Sequence, residues 1–134
     1  MLTDTQIRDL LTHAKVIAVV GHSDNPGRTS YQIAQYLKRV GYKVYPVNPT
    51  LSEIDGETCY ADLASVPEPI DIVNVFRRSE HLAGVFDEAI EVGAKSVWAQ
   101  LGVVDILVEA KAEDMGYPLV MDSCIKVVHA RLVR

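Results

Sequence analysis

Uninterrupted apolar runs alternate with stretches of helical periodicity along the chain. Residues 16–20 (VIAVV) contain no polar position, which is typical of a parallel strand that is covered on both faces. Mostly apolar segments that predict further strands occur at residues 42–47, 70–76 and 96–100, and a shorter one occurs at 118–121. The pattern therefore predicts five strands.

Between these runs, apolar residues recur every three or four positions, as on the buried face of an α-helix. Thr3 and Gln6 have the spacing of a capping box, and Ser79 is a predicted N-cap. Gly41 and Gly116 stand where helix C-cap glycines would. The predicted helices are residues 4–13, a helix that ends at Gly41, a short helix at 61–65, and helices at 79–93, 104–115 and 124–132. Residues 50–60 are predicted to form a loop.

Strands that alternate with helices imply a parallel sheet whose right-handed crossovers cover both faces. We expect an α/β fold, a Rossmann-like three-layer sandwich with a five-stranded parallel sheet. A chain of 134 residues has the size of one compact domain, and residues 1–134 contain no linker or repeat that would divide it. Ligands of such sheets bind beyond the carboxyl ends of the strands, where the strand order reverses.

Charge and composition narrow the function classes. The net charge of −5 argues against a broad surface for nucleic acid or anionic lipid. No apolar run approaches the roughly 20 residues that cross a bilayer, and the first residues lack the features of a secretion signal, so we expect a cytoplasmic protein. Cys59 and Cys124 belong to no cluster with metal spacing, and we expect neither a metal site nor a disulfide.

The loop at residues 21–28 (GHSDNPGR) has the features of an anion site. Gly21 permits a sharp turn and a close approach to the backbone, and the following helix directs its positive end toward the loop. Arg28 opposes that dipole and would be better placed beside a bound anion. A diphosphate is the natural candidate, although a tight turn that needs glycine and an arginine in solvent explain the same residues. The loop lacks GxGxxG spacing.

The second predicted strand ends at Asn48 and Pro49. Proteins that bind NAD usually carry an acidic residue near this point to hold the ribose hydroxyls, and none is present here. Asn48 can bond a ligand, but a turn before proline is the simpler interpretation. The position therefore disfavours NAD.

Arg77 and Arg78 follow the third strand and form the densest positive cluster of the chain. They can pair with phosphate oxygens, and one of them can stack on an adenine ring. Ion pairs with nearby carboxylates such as Glu80 are the alternative. After the fourth strand, the amide of Gln100 is expected to face the crevice.

No nucleophile stands beside an obvious base. Cys124 lies near the start of the last helix, a position that lowers a thiol pKa, but a small buried residue is the more ordinary interpretation. His22 lies in the candidate loop, and we expect it to contact a ligand without catalysing a reaction. We therefore predict no catalytic residue.

Four blocks of sequence together resemble a known family. They are VIAVVGHSDNPGRTSYQIAQYLKRVGYKVYPVNPT, IDIVNVFRRSEHL, EVGAKSVWAQLGV and PLVMDSCIKVVHARL. They are similar to the small stand-alone CoA-binding domains, whose fold resembles the CoA-binding domain of the succinyl-CoA synthetase alpha subunit. Residues 103–109 (VVDILVE) depart from a more polar family pattern, in a region that bears on the crevice wall and on a possible homodimer.

The resemblance implies that the chain holds coenzyme A. The diphosphate would lie at the loop from Gly21 to Arg28, and the adenosine would lie near Arg77. The implied CoA-binding residues are Gly21, His22, Ser23, Asn25, Pro26, Gly27, Arg28, Asn48, Pro49, Val75, Phe76 and Arg77, and the position of Gln100 at the end of the fourth strand adds it to this set.

Three functions agree with the sequence. The first is non-catalytic binding of coenzyme A or an acyl-CoA. The second is an enzyme that acts on a CoA thioester or CoA disulfide through Cys124. The third is a regulatory domain that binds NADP or another nucleotide, because an arginine can accept the extra phosphate of NADP.

Overall fold

A computed structural model describes residues 1–133. Seven strands and five α-helices occur in these residues, with two short 3-10 turns. In chain order the strands and helices are α1 (Asp4–His13), β1 (Val16–Val20), α2 (Thr29–Arg39), β2 (Lys43–Val47), β3 (Glu53–Ile54), β4 (Glu57–Thr58), β5 (Ile72–Val75), α3 (Leu82–Glu91), β6 (Val97–Ala99), α4 (Ile106–Met115), β7 (Leu119–Val120) and α5 (Ile125–Leu132).

The main sheet has five parallel strands in the order β2-β1-β5-β6-β7. The chain leaves β1 for β2 on one side and returns to β5 on the other side, so the strand order reverses at β1. This is the switch point at which ligands of open parallel sheets bind. The predicted Rossmann-like α/β fold with a five-stranded parallel sheet is confirmed.

Successive strand residues point to opposite sides of the sheet. Because both sets of side chains are apolar in β1, helices cover both faces of the sheet. Ala18 packs in a core layer with Phe86 of α3 and Val108 of α4. Val19 packs in the opposite layer with Leu37 of α2 and with residues of α1 and α5. The apolar runs in the sequence reflect strands that have no solvent-facing side.

The structure differs from three local predictions. Residues 50–60 include a small antiparallel hairpin, β3 and β4, where a loop is predicted. Its turn uses Asp55 and Gly56, both with positive φ, as a two-residue hairpin turn requires. Ser79 is not the N-cap of α3, because a 3-10 turn over Ser79–His81 precedes that helix. The predicted short helix at 61–65 is a 3-10 turn over Leu63–Ser65.

The helices are short. The longest, α2, has 11 residues. Within residues 1–133, no helix has both the length and the apolar character that a membrane span requires.

Candidate functional site

The loops that follow β1, β2 and β5 meet at the switch point of the sheet. The side chain of Asn48 donates from Nδ2 to the backbone oxygen of His22, at 3.0 Å. Gly21 lies directly against the backbone of Phe76 and the side chain of Arg77. The fold therefore brings together three segments that are distant in sequence and that each supply candidate ligand residues.

The backbone after β1 lies so close to the backbone after β5 that position 21 has no room for a side chain. Its φ is +86°, and an added Cβ would lie 2.4 Å from the carbonyl oxygen of Phe76. Its N–H donates to the carbonyl oxygen of Val47, at 2.9 Å. The amide of Gly21 is thus committed to the protein, and close packing alone explains why glycine occupies this position.

The rest of the loop is folded on its own hydrogen bonds. The N–H of Ser23 donates to the hydroxyl of Ser30 at 3.0 Å, and the N–H of Asn25 donates to the hydroxyl of Ser23 at 3.0 Å. The Oδ1 atom of Asn25 accepts from the N–H of Gly27 at 2.9 Å, and its carbonyl accepts from the N–H of Arg28 at 3.0 Å. These bonds fix the loop shape in advance, while residues 24–29 stay exposed.

The N-terminus of α2 has no side-chain cap. Its N-cap residue is Arg28, which makes no capping hydrogen bond, and the first turn contains no acidic residue. The first intrahelical bond from this end runs from the N–H of Gln32 to the carbonyl of Arg28. The preceding helical amides, residues 29–31, therefore have no partner one turn back. Thr3 caps α1 and Asp105 caps α4, whereas α3 and α5, like α2, have no side-chain cap.

His22 supports this loop from inside. Its side chain is buried, with 1% of the residue exposed, and Nδ1–H donates to the carbonyl oxygen of Ser23 at 2.8 Å. The ring packs edge-on against Tyr31, with 6.1 Å between ring centroids, and Tyr31 in turn donates to the carboxylate of Asp55. Burial lowers the pKa of His22. The imidazole is therefore held as a neutral group beneath the exposed part of the loop.

Asn48 connects the loop after β2 to the loop after β1 and also stabilises its own turn. Besides holding the His22 carbonyl, its Oδ1 atom accepts from the backbone N–H of Thr50 at 2.9 Å and from the Thr50 hydroxyl at 2.7 Å. This geometry agrees with the turn interpretation made from the sequence. The next residue, Pro49, is exposed.

The segment after β5 carries one partly buried arginine and one exposed arginine. Arg77 is partly buried against Gly21. Arg78 is exposed and pairs with Glu80 at 3.8 Å, which is the ion-pair alternative stated for this cluster. Phe76 is partly buried, whereas Val75 is wholly buried within the sheet, so the side chain of Val75 does not line a surface.

The side-chain oxygen of Gln100 does not face the crevice as expected. Gln100 is buried, and Oε1 accepts from the Asn74 side chain and from the N–H of Ile125, both at 3.4 Å. Asn74 is fully buried, and its Oδ1 has no hydrogen-bond partner among residues 1–133. The sequence signal for Asn74 is an amide in the middle of the mostly apolar segment IDIVNVF.

The two cysteines are free. Cys124 is partly buried and occupies the N-cap position of α5, whereas Cys59 is buried, and burial raises the pKa of its thiol. In the described part of the chain, no group of three or more His, Cys, Asp or Glu side chains is arranged to hold a metal ion.

A switch point with a folded glycine loop, an uncapped helix N-terminus and adjacent arginines defines a Rossmann-like protein with a candidate anion site. The model of a family described as the CoA binding domain matches residues 15–130. The chain belongs to this family.

Comparisons with individual proteins agree with this assignment. The chain is 45% identical over 125 residues to the uncharacterised protein YneT of Bacillus subtilis, and the match covers 93% of both chains. It is similar to the structure of a hypothetical protein from Pyrococcus horikoshii, with a TM-score of 0.93 and 37% identity over 99% of this chain and 94% of that one.

A further relative is a much longer enzyme. The ADP-forming acetate–CoA ligase of Methanocaldococcus jannaschii is 31% identical over 85 residues, which is 63% of this chain but 12% of the ligase. The chain is therefore similar to a small part of that ligase.

Proposed function

We propose that this protein binds coenzyme A or an acyl-CoA at the switch point without transforming it. The observation that carries the proposal is the uncapped N-terminus of α2 beside a loop that is already folded. The open helix amides and the positive end of the helix dipole favour a diphosphate at this point. Membership of the CoA binding domain family supports coenzyme A as the source of that diphosphate.

Arg28 and Arg77 supply the positive charge in this proposal. Arg28 is exposed at the start of α2, where a bound diphosphate would offset its unfavourable position against the helix dipole. Arg77 lies against Gly21 from the neighbouring loop. A guanidinium can pair bidentately with phosphate, so Arg77 suits the 3′-phosphate on the ribose of coenzyme A.

The proposal assigns no chemical step to the bound ligand. Cys124 is partly buried at the start of α5, on the helix that packs against Leu11 and Leu37. His22 is committed to the Ser23 carbonyl. Neither residue forms a hydrogen-bonded pair of nucleophile and base in the described residues, so holding the ligand is the simplest role for the site.

Arginine substitutions test where the ligand binds. We expect Arg28→Ala and Arg77→Ala each to weaken the calorimetric Kd for coenzyme A by about tenfold or more, because a hydrogen bond to a charged group contributes about 1.5–3 kcal/mol. Dephospho-CoA, which lacks the ribose phosphate, should lose affinity for the parent protein but should be less sensitive to Arg77→Ala.

Arg39→Ala is the matched control, since Arg39 is an exposed arginine at the opposite end of α2. We expect it to bind coenzyme A like the parent. Equal binding by the Arg28, Arg77 and Arg39 variants would show that the site is elsewhere. NADP that competes with coenzyme A at comparable affinity would favour the general nucleotide-binding alternative.

A further inference from the structure

The side-chain amide of Gln100 is held in one orientation at the carboxyl end of β6. Its Oε1 atom accepts from Nδ2 of Asn74 and from the N–H of Ile125, both at 3.4 Å. The opposite orientation would place Nε2, which is itself a donor, against these two donors. The protein therefore fixes the amide with Oε1 inward and Nε2 outward.

The outward Nε2 atom of Gln100 is an open donor. It donates to no residue within the described chain. Oδ1 of Asn74 is the one enclosed side-chain oxygen or nitrogen without a partner among residues 1–133, so Nε2 of Gln100 is not enclosed. Gln100 is 5% exposed, and that small area includes an unpaired amide nitrogen.

Asn74 supplies one of the two donors that orient Gln100. Its Nδ2 atom donates to Gln100 and to the carbonyl oxygen of Trp98, at 3.3 Å, while its Oδ1 atom has no partner among residues 1–133. An unpaired buried acceptor destabilises a fold, and an apolar side chain at this position would not create one. What the amide of Asn74 supplies in return is the orientation of Gln100, which points to a role for the outward donor.

Gln100 lies on the same face of the sheet as the uncapped terminus of α2. Trp98, two residues earlier on β6, packs in the layer of α2 and α5, and Gln100 bonds to the first residue of α5. Because β5 lies between β1 and β6, Phe76, which follows β5 and packs in the same layer, lies between the switch point and Gln100. A partly buried apolar side chain therefore separates the two.

The pantetheine arm of coenzyme A matches this arrangement. The arm is uncharged and carries two amide carbonyls, which accept from a neutral N–H donor, whereas phosphates favour arginines and open helix amides. The ends of β1 and β6 are two strand spacings apart, about 10 Å. The arm has the chain length of about four residues, ~14 Å when extended, so it can span that distance from a diphosphate at α2.

The assignment of Arg77 to the ribose phosphate leaves this path open. Phe76 packs in the layer of α2 and α5, and the chain then runs from Arg77 to α3, which covers the opposite face. The adenosine and the arm thus leave the diphosphate toward different faces of the sheet.

We infer that Nε2 of Gln100 donates to an amide carbonyl of the pantetheine arm of coenzyme A. This inference rests on the proposed function and deepens it, because Gln100 then selects coenzyme A over nucleotides that lack the arm. Asn74 does not contact the ligand in this account. It is a positioning residue that acts through Gln100.

Gln100→Glu tests the inference, because a glutamate keeps the inward oxygen and replaces the outward donor by an acceptor. The N–H of Ile125 and the positive end of the α5 dipole stabilise the carboxylate, so the variant should fold. The measurement is the calorimetric Kd of coenzyme A and of adenosine 3′-phosphate 5′-diphosphate, which has the same phosphates without the arm. The parent should prefer coenzyme A, and the variant should lose about fivefold of that preference, as expected for one neutral hydrogen bond.

Two further variants separate charge from orientation. Gln32→Glu is the matched control, since Gln32 is an exposed glutamine of α2 whose Nε2 atom donates to Pro26 in the loop. Its added charge should weaken both ligands alike and leave the preference for coenzyme A unchanged. Asn74→Val, which suits a buried strand, leaves Gln100 with one of its two donors. It should lower the preference while the Kd of the nucleotide without the arm stays unchanged.

The outcomes distinguish this inference from the proposed function. If the parent binds both ligands equally, or if Gln100→Glu keeps the preference of the parent, the assignment of Gln100 is wrong and the proposed function stands. A Gln32→Glu variant that loses as much preference as Gln100→Glu would show that charge alone causes the loss, and would also overturn the assignment. If neither ligand binds the parent, both proposals are wrong.

Discussion

The imidazole of His22 lies inside the protein although its neighbours in the loop are exposed. From the sequence, a histidine within a candidate phosphate loop is expected to contact the ligand. The structure instead directs the ring inward, toward Tyr31 and the Ser23 carbonyl. Local sequence does not specify which way such a side chain points, because the direction depends on Tyr31 of α2, whose hydroxyl is bonded to Asp55 in the β3–β4 turn.

Burial of His22 makes stability depend on pH. Burial is the largest effect on the pKa of His22 and lowers it from 6.5, and Lys38 lowers it further, whereas the bond to Ser23 and the carboxylates of Asp55 and Glu57 raise it. The unfolded chain therefore takes up a proton first. The contribution of His22 to the free energy of unfolding is fully present above pH 6.5. It is lost as the pH drops from 6.5 toward the pKa of His22 in the folded protein, by at most about 1.4 kcal/mol per pH unit.

His22→Asn tests this pH dependence by urea unfolding between pH 5 and pH 7.5. The variant should lose less stability than the parent over this range, because it has no proton to take up at position 22. His81→Asn, at an exposed histidine, is the comparison for histidine replacement in general. A parent and a His22→Asn variant with parallel pH profiles would contradict the account of this residue.

At the scale of elements, the ends of β1 and β5 approach more closely than a side chain allows. Gly21→Ala should destabilise the protein by at least about 2 kcal/mol, because it combines a strained φ of +86° with a 2.4 Å contact to the Phe76 carbonyl. Gly102 has the same φ and nothing within 4 Å of an added Cβ, so Gly102→Ala measures the backbone strain alone.

The quantity to compare is the free energy of unfolding of these two variants. A markedly larger loss for Gly21→Ala is expected, since only that variant forces the two loops apart. Equal losses would mean that the close approach of the strand ends contributes nothing, and that glycine is needed at position 21 for its backbone conformation only.

The sequence predicted the main strands and helices well because each has a strong local signal. The apolar run at 16–20 and the capping box at Thr3 depend on neighbouring residues alone. The prediction that Ser79 caps the following helix was wrong because the hydrogen-bond partners of Ser79 are distant in sequence. Its hydroxyl bonds to Gly102 and Val104, more than 20 positions away, and no local pattern reveals a partner at that distance.

The candidate site was predictable in outline and not in detail. The order of strands and helices places Gly21, Asn48 and Arg77 at one edge of any doubly wound sheet. Which polar groups remain open at that edge depends on packing. The N–H of Gly21 donates to Val47, and the side-chain oxygen of Gln100 accepts from Asn74. At these two positions, groups that were expected to face a ligand are therefore bonded within the protein.

At the scale of the whole molecule, the two ends of the sheet have different roles. At the amino end, Asp71 accepts from the N–H groups of Lys15 and Val16 and pairs with Lys95. Burial alone would raise the pKa of Asp71, but these partners together lower it. The carboxylate of Asp71 is thus satisfied within the protein. At the carboxyl end, the first amides of α2 and the side chain of Arg28 have no such partners among residues 1–133, which is what a site for an external anion requires.

Coenzyme A is proposed to bind the folded protein at this end of the sheet. Thermal unfolding with increasing coenzyme A tests it most directly, because a ligand of the native state alone stabilises by RT ln(1 + [L]/Kd). At 100 times the Kd this is about 2.7 kcal/mol, which for a chain of this length raises the Tm by roughly 10 °C. A Tm that stays constant up to millimolar coenzyme A would contradict the claim.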